Sequence, residues 1–281
     1  MKVVTSVVNN PIFIEIQYHC LKKHLHCDFE FIVFNDAKDF PDFTNNNDPT
    51  MPKQIEDICA KLGVKCIRIH NAHHRIINWA STRTADAMNF ILKYQLQNPD
   101  EYLLFDSDMF LIDTFDIERY RQYECAVLLQ KRPKVMPYFW NGIYYMNIPK
   151  MRHLHLLSWD MCDNCDTGGK TGLWYWNYIY ESRDEIPKEI QYNQKYSNNI
   201  YYMYGISSGY WDINTAPESI KNNAKLLEFL ETDPRSENGK FFCDLFEYTV
   251  LHYRSGGNWR NEGLELHKTL SEKLKKALVD E

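Results

Sequence analysis

Tyr102-Leu103-Leu104-Phe105-Asp106-Ser107-Asp108-Met109-Phe110-Leu111-Ile112 is the stretch on which the fold of this chain turns. A short unbroken apolar run is the pattern of a strand covered on both faces, as in a parallel sheet with helices above and below. The run stops in two carboxylates one residue apart, then resumes as Met-Phe-Leu-Ile. On its N-terminal side, Ser81 to Gln97 has the periodicity of a helix with Ala85, Met88, Leu92 and Leu96 turned inward, ended by Asn98-Pro99-Asp100. Further out the alternation repeats. Lys2 to Val8 reads as a strand, Ile12 to Leu25 as a helix with Ile12, Phe13, Ile16 and Cys20 in register, and Phe29 to Phe34 as a second strand. A polar loop with Asn45-Asn46-Asn47 leads to a helix from Pro52, with Ile55, Ile58 and Leu62 on one face, stopped by Gly63. Val64 to Ile69 is a third strand.

Strands alternating with helices imply an α/β fold, with a mainly parallel central sheet flanked by helices and joined by right-handed crossovers. Ligands of such sheets bind beyond the carboxyl ends of the strands. Asn9-Asn10, Asn35-Asp36 and Asp106-Ser107-Asp108 all fall at those ends. The second half is less regular and reads as a smaller mixed subregion. Ala126 to Gln130 and Gly142 to Ile148 are expected strands, and Met151 to Met161 a short helix. The Gly-, Trp-, Tyr- and Asn-rich stretch from Asp163 to Asn199 is expected to be a loop-rich lid or acceptor region. Tyr248 to Tyr253 reads as a last strand, and Leu264 to Leu278 as a closing helix with Leu264, His267, Leu270 and Leu274 in register. With no internal repeat and no linker, one domain over 1–281 is expected.

Composition narrows the classes. The net charge of -6 leaves no excess of Lys and Arg for a phosphate backbone, which argues against a nucleic-acid binder. No apolar run approaches the roughly 20 residues of a membrane span. The eight cysteines are scattered through a chain too long to need a disulfide framework, so reduced thiols in a cytoplasmic setting are expected. Aromatic residues make up 15% of the chain; such rings pack cores and also stack on sugar faces. Richness in Asn, Tyr and Lys suggests an A+T-rich genome, viral or bacterial.

Two carboxylates one residue apart at a strand end can converge on one hard divalent cation, which takes oxygen ligands and neutralises a diphosphate. Such an ion draws electron density from a leaving diphosphate. The alternative is a polar turn whose Asp side chains cap backbone N–H groups. The buried strand before Asp106 and the apolar run after Asp108 favour the metal.

The segment Tyr102 to Ile112 resembles the D-x-D segment of the GT-A-fold glycosyltransferases. Two later segments match in order. Tyr138-Phe139-Trp140-Asn141-Gly142-Ile143-Tyr144-Tyr145-Met146-Asn147 resembles the strand bordering the donor sugar in the glycogenin and galactosyltransferase-like branch. Leu251-His252-Tyr253-Arg254-Ser255-Gly256-Gly257-Asn258-Trp259 resembles that branch's C-terminal segment, although no Lys-Pro precedes Trp259. The resemblance implies a nucleotide-binding half (1–110) and a sugar and acceptor half (111–281). It implies Mn²⁺ or Mg²⁺ held by Asp106, Asp108 and His252, and a UDP- or GDP-sugar as donor. It further implies contacts to the nucleotide or diphosphate from Asn9, Asp36, Arg83, Arg254 (or Arg260), Ser255 and Gly256. Asn141 is a candidate for hydrogen-bonding sugar hydroxyls. The acceptor would be a hydroxyl of a glycan, glycoprotein or lipid-linked sugar. Inversion would need a carboxylate base, for which Asp163, Asp166 and Asp212 are present and Asp212 is the candidate carried forward. The resemblance leans towards retention.

The residues also allow plainer readings: His252 as a core histidine, Arg83 as a solvated helix residue. Cys162-x-x-Cys165 is half a zinc site at most. Gly168-Gly169-Lys170-Thr171 lacks the spacing of a phosphate loop. His73-His74 and His153-x-His155 are expected on solvated surfaces. Two rivals share the fold. A sugar-nucleotide pyrophosphorylase would carry a Gly-rich N-terminal loop, and Thr5 to Pro11 has no glycine. A non-catalytic carbohydrate-binding protein would not need Asp106, Asp108 and His252 intact.

Overall fold

Lys2–Val7 (β1) and Glu101–Phe105 (β4) pair in parallel, Lys2 opposite Tyr102 and Val4 opposite Leu104, so the first strand lies beside the strand that leads into Asp106. The computed structural model describes every residue except 42–47, 78, 133–134, 182–197, 258–262 and 281. The remaining strands are Glu30–Asn35 (β2), Lys65–Arg68 (β3), Met109–Leu111 (β5), Cys125–Gln130 (β6), Tyr138–Asn147 (β7), Ile200–Tyr202 (β8), Gly205–Ile206 (β9), Asp244–Phe246 (β10) and Val250–His252 (β11). One sheet has the order β3-β2-β1-β4-β7-β6-β8, with β2·β3 and β6·β8 also parallel and β6·β7 antiparallel. A small antiparallel sheet has the order β5-β11-β10-β9. The class is thus the expected α/β one. The helices are Ile12–His24 (α1), Met51–Leu62 (α2), Ala80–Gln97 (α3), Glu118–Arg121 (α4), Thr171–Glu181 (α5), Glu218–Lys221 (α6), Ala224–Thr232 (α7) and Leu264–Leu278 (α8). Gly63 closes α2 at φ 67°, a left-handed conformation that a side chain would disfavour. Among the described residues no helix is long and apolar enough to cross a membrane.

The chain forms two compact units, each assembled from separated stretches. One comprises Met1–Val4, Asn71–Leu104 and Ile117–Met203; the other comprises Thr5–His70, Phe105–Asp116 and Tyr204–Glu281.

In the first unit many of the aromatic residues are core, although Trp79, Phe90 and Trp176 are exposed. Trp174 and Tyr175 of α5 set their rings edge-on to Phe139, at 5.6 and 6.0 Å, and Trp174 stacks on Tyr178 at 4.8 Å. The expected loop-rich lid from Asp163 to Asn199 therefore contains a helix with one face buried; residues 182–197 of it lie outside the described residues. The helix expected over Met151 to Met161 reduces to a 3₁₀ turn, Leu154–Leu156. His153 takes φ 54°, and Trp159 is drawn into the core, stacked on Tyr144 at 5.1 Å, with its backbone N–H on Asn89. Tertiary burial of one large ring outweighs local helical preference. On α3 the buried stripe passes through Met88, Ile91 and Gln95, which leaves Leu96 41% exposed rather than inward.

In the second unit α1 packs on β5, α2 and α8, and α7 packs on α8. Leu270 and Leu274 of α8 are buried, so the periodicity read over Leu264 to Leu278 is that of a real helix.

Candidate active site around the Asp106 turn

The second unit holds the two carboxylates and the histidine. As β4 ends, Asp106-Ser107-Asp108 turns the chain into β5. The buried Gln17 of α1 grips this turn, its Nε2 donating to the carbonyls of Asp106 (2.8 Å) and Met109 (3.0 Å). β11 pairs antiparallel with β5, with His252 opposite Met109, and β10 pairs with β11, with Asp244 opposite His252. Residues directly opposite across a ladder share a face of the sheet. The imidazole of His252 accordingly lies between two carboxylates. Its Nδ1 is 2.8 Å from Asp244 Oδ2, and its Nε2 is 3.3 Å from Asp108 Oδ1.

The charges around this ring are strongly coupled. Burial works against a charged His252, but Asp108 and Asp244 overcome it and raise its pKa to about 10. Burial, and then the neighbouring Asp108 charge, push Asp106 up to about 7, against the opposing pull of His252 and the Ser107 N–H. Asp108 Oδ1 is buried and makes no well-aligned hydrogen bond, while Oδ2 accepts from the backbone N–H of Gly257 at 3.2 Å. Asp106 Oδ1 accepts from Ser107 N–H at 2.8 Å.

The loop after His252 is folded down on this turn. Tyr253 N–H donates to the Asp108 carbonyl at 2.8 Å. Ser255 sits at φ 63°, and a Cβ on Gly256 would lie 2.4 Å from the Tyr253 ring, so this position needs glycine. Arg235, doubly hydrogen-bonded to Asp233, braces the loop by donating to the Arg254 carbonyl at 2.9 Å. Tyr253 Oη and His267 Nδ1 are 2.8 Å apart in the core. The Arg254 side chain is exposed and donates to Ser208 Oγ at 2.6 Å.

The other expected residues divide. Asn9, after β1, is buried with neither side-chain amide atom hydrogen-bonded. Asp36 is buried and ion-paired with Lys38 Nζ at 2.6 Å. Asp212 caps its own turn, accepting from Asn214 and Thr215 N–H groups, and pairs with Lys240 at 2.5 Å. The Lys240 hydrogen bond, chiefly, lowers its pKa, which makes it a poor base. Arg83 and Asn141 belong to the first unit. Arg83 is only 2% exposed on α3, not a solvated residue, and Asn141 is half-buried on β7. Arg260 and Trp259 lie outside the described residues.

Two residues of the turn's surroundings were not expected. Asp244 is a lone carboxylate in the apolar run Phe241 to Phe246, and Gln17 is a lone amide on the apolar face of α1; each is a local signal of a buried polar task. The discounted motifs also have definite places. Thr171 is buried, its Oγ1 accepting from Phe139 N–H and donating to the Gly168 carbonyl, so the Gly168-to-Thr171 stretch is a helix start. His73 and His74, expected to be solvated, both contact Asp86, and His74 is 1% exposed. Among the described residues these three form the one group of ligand atoms all within 4.8 Å of one another; Asp106, Asp108 and His252 are not drawn together as tightly.

No family model matches the chain, and no curated protein matches it. Solved structures with a similar chain course include the galactosyltransferase LgtC in complex with donor and acceptor sugar analogues, at 12% identity and TM-score 0.44 over 97% of this chain and 95% of that one. An active-site mutant of LgtC matches at 11% identity and TM-score 0.39 over 72% of each chain. The glycosyltransferase GlyE of Streptococcus pneumoniae matches at 14% identity and TM-score 0.36, over 72% of this chain and 44% of that one. Likeness at this level says nothing about chemistry.

Proposed function

We propose that this chain is a GT-A-type glycosyltransferase, one domain over 1–281, which passes a sugar from a nucleotide-diphosphate donor to a hydroxyl of a glycan, glycoprotein or lipid-linked acceptor. Asp106, Asp108 and His252 would hold a divalent cation, Mn²⁺ or Mg²⁺. One observation carries the reading: the β5–β11–β10 register brings His252 from 144 positions further along the chain to within 3.3 Å of Asp108, beside Asp106. The donor set fits such an ion. It offers two carboxylates and an imidazole, the buried Asp108 Oδ1 faces His252 Nε2 at 3.3 Å without a well-aligned hydrogen bond, and Asp106 is held up in pKa mainly by its burial.

When bound, the cation would neutralise the diphosphate and favour its departure from the sugar. The protein's own groups supply the rest. Without the ion, Asp108 and Asp244 together favour a ring protonated on both nitrogens; with the ion, Nε2 would give up its proton while Asp244 keeps accepting Nδ1–H, which leaves the Nε2 lone pair for the metal. Ser255, Gly256 and Gly257 bring backbone close to the turn; the Gly256 and Gly257 N–H groups bond to the Tyr253 carbonyl and to Asp108, and would have to exchange these partners to cradle phosphate oxygens. Arg254, exposed beside them, adds a charge-assisted fork. Asn9 offers a donor and an acceptor to a nucleoside, UDP- or GDP-linked, and Asp36 would first exchange its Lys38 partner. Arg83 and Asn141 enter the reading through the resemblance alone. No general base is assigned, since Asp212 is already paired. The eight free thiols are in keeping with a reducing, cytoplasmic compartment.

Thermal-shift measurements with UDP-, GDP-, CMP- and dTDP-sugars, with and without Mn²⁺, test the proposal. One donor should stabilise the protein only when the ion is present, by about 2.7 kcal/mol at a hundredfold excess over Kd, and Asp108→Ala should abolish the effect. Absence of any ion-dependent shift with every donor would overturn it.

A further inference from the structure

The first unit carries a second group of metal-ligating side chains, unrelated to the Asp106 turn. The 3₁₀ turn Ala72–Arg75 presents His73 and His74 to Asp86, which lies one and a half turns into α3. Both imidazoles turn Nε2 to the same oxygen, Asp86 Oδ2, at 2.7 Å from His73 and 2.8 Å from His74. The rings stand nearly edge-on, 4.5 Å between centroids. Two nitrogens and one oxygen therefore converge on a single point from two elements.

The frame holding them is ordered by its own bonds. Asn71 takes φ 31° at the start of the turn and accepts from His74 N–H at 3.1 Å, and the His73 carbonyl accepts from both Ile76 and Ile77 N–H at 3.0 Å. His74 is 1% exposed, while His73 keeps 49% of its side chain in solvent, so the group is anchored on one side and open on the other. A buried histidine and a helix-borne carboxylate are costly to arrange for a surface hydrogen bond alone.

The geometry points to a binding site for Zn²⁺, held by His73 Nε2, His74 Nε2 and Asp86 Oδ2, with a fourth position open to water on the His73 side. Two imidazoles with one carboxylate suit Zn²⁺ and its late first-row neighbours, whereas Mg²⁺ and Ca²⁺ seek oxygen shells. A tetrahedral ion with bonds of about 2.0 to 2.1 Å spaces its ligand atoms about 3.3 Å apart. Both separations from Asp86 Oδ2 are shorter by about half an ångström, so the half-exposed Asp86 carboxylate must draw back from the buried His74, and the exposed His73 ring must turn with it, to admit the ion. Each Nε2 gives up its proton when the ion enters, so binding releases protons and weakens as pH falls.

The test titrates Zn²⁺ alone into the metal-free full-length protein by calorimetry at neutral pH. Parallel titrations use Asp108→Ala and Cys162→Ser proteins, to subtract the acidic turn and the exposed Cys162 thiol. The expected result is a Zn²⁺ site retained in all three, one per chain in Asp108→Ala where the acidic turn no longer competes, and weakened at least about a hundredfold by His73→Ala and by Asp86→Asn. His73 is exposed, so its replacement leaves the fold intact, which the melting temperature without metal verifies. Co²⁺ should bind the same site with the intense visible absorption of four-coordination, lost in His73→Ala. Zn²⁺ binding that His73→Ala leaves unchanged would place the ion elsewhere and overturn the assignment. So would a wild-type protein that takes up no Zn²⁺, in which case the three side chains are a hydrogen-bond network only.

Discussion

Replacing Asp244 by Asn changes one atom at the point where the proposed site is most sensitive. Asp244 Oδ1 accepts from Ser208 N–H at 2.7 Å, and Oδ2 faces His252 Nδ1 at 2.8 Å. The amide keeps its oxygen for Ser208, which a backbone N–H requires, and therefore turns its NH₂ towards the imidazole. Nδ1 must then accept, so the one proton left when the ring becomes neutral sits on Nε2 and points at Asp108, where the metal would sit, instead of on Nδ1 as in the wild type. The fold loses one charge-assisted bond, about 1.5 to 3 kcal/mol at most, partly restored by the new N–H···N bond. Metal affinity loses the oriented ligand. Changes to partners that orient a metal-bound histidine cost roughly ten- to a hundredfold in affinity, which is about 1.4 to 2.7 kcal/mol. The assay is the electron paramagnetic resonance of free Mn²⁺ during titration, with the apo melting temperature measured in parallel. Expected is a Kd raised ten- to a hundredfold with a native-like apo fold. Asp244→Glu, which keeps the acceptor, should retain more affinity than Asp244→Asn. Mn²⁺ binding within about threefold of wild type in Asp244→Asn would refute the tautomer argument, since the tautomer is the property the substitution alters.

Three further outcomes follow from the same structure. Gly256→Ala puts a Cβ 2.4 Å from the Tyr253 ring and 2.9 Å from the Tyr253 carbonyl, so the loop must shift; a loss of about 1 to 3 kcal/mol in urea unfolding is expected, together with weaker donor-dependent stabilisation. Tyr253→Phe leaves His267 Nδ1 without its 2.8 Å partner in the core and should cost about 1 to 3 kcal/mol, read by the same denaturation. The Glu15–Lys275 pair, 2.9 Å apart, links α1 to α8 and lowers the Glu15 pKa, chiefly through the hydrogen bond, while raising that of Lys275. Its contribution is present between the two titrations. It fades as pH falls through the depressed Glu15 value, and again as pH rises through the elevated Lys275 value. Glu15→Gln should therefore lower stability by about 0.5 to 1 kcal/mol at neutral pH, with the difference from wild type vanishing in acid.

Local pattern was enough for most of the first hundred residues. Apolar spacing located α1, α2, α3 and the four strands within a residue or two, and Gly63 marked the end of α2 through the conformation it must adopt. It failed where a large ring had somewhere better to go. Trp159 entering the core dissolved the helix expected from Met151, and Trp174 with Tyr175 gave the stretch read as a loop-rich lid or acceptor region a helix with one face buried. The strand expected from Gly142 begins at Tyr138, and a Cβ at Gly142 would fall 2.3 Å from the Trp140 ring.

By itself, then, the order of residues determined the α/β alternation and marked Asp106 and Asp108 at a strand end, because period and residue chemistry are local properties, while His252 was joined to them through the family resemblance. Only the tertiary structure decided that Asp244 faces the imidazole, that Gln17 grips the turn, and that His73 and His74 share Asp86. Each of these depends on strand register or on which helix face is buried, and long-range packing sets both.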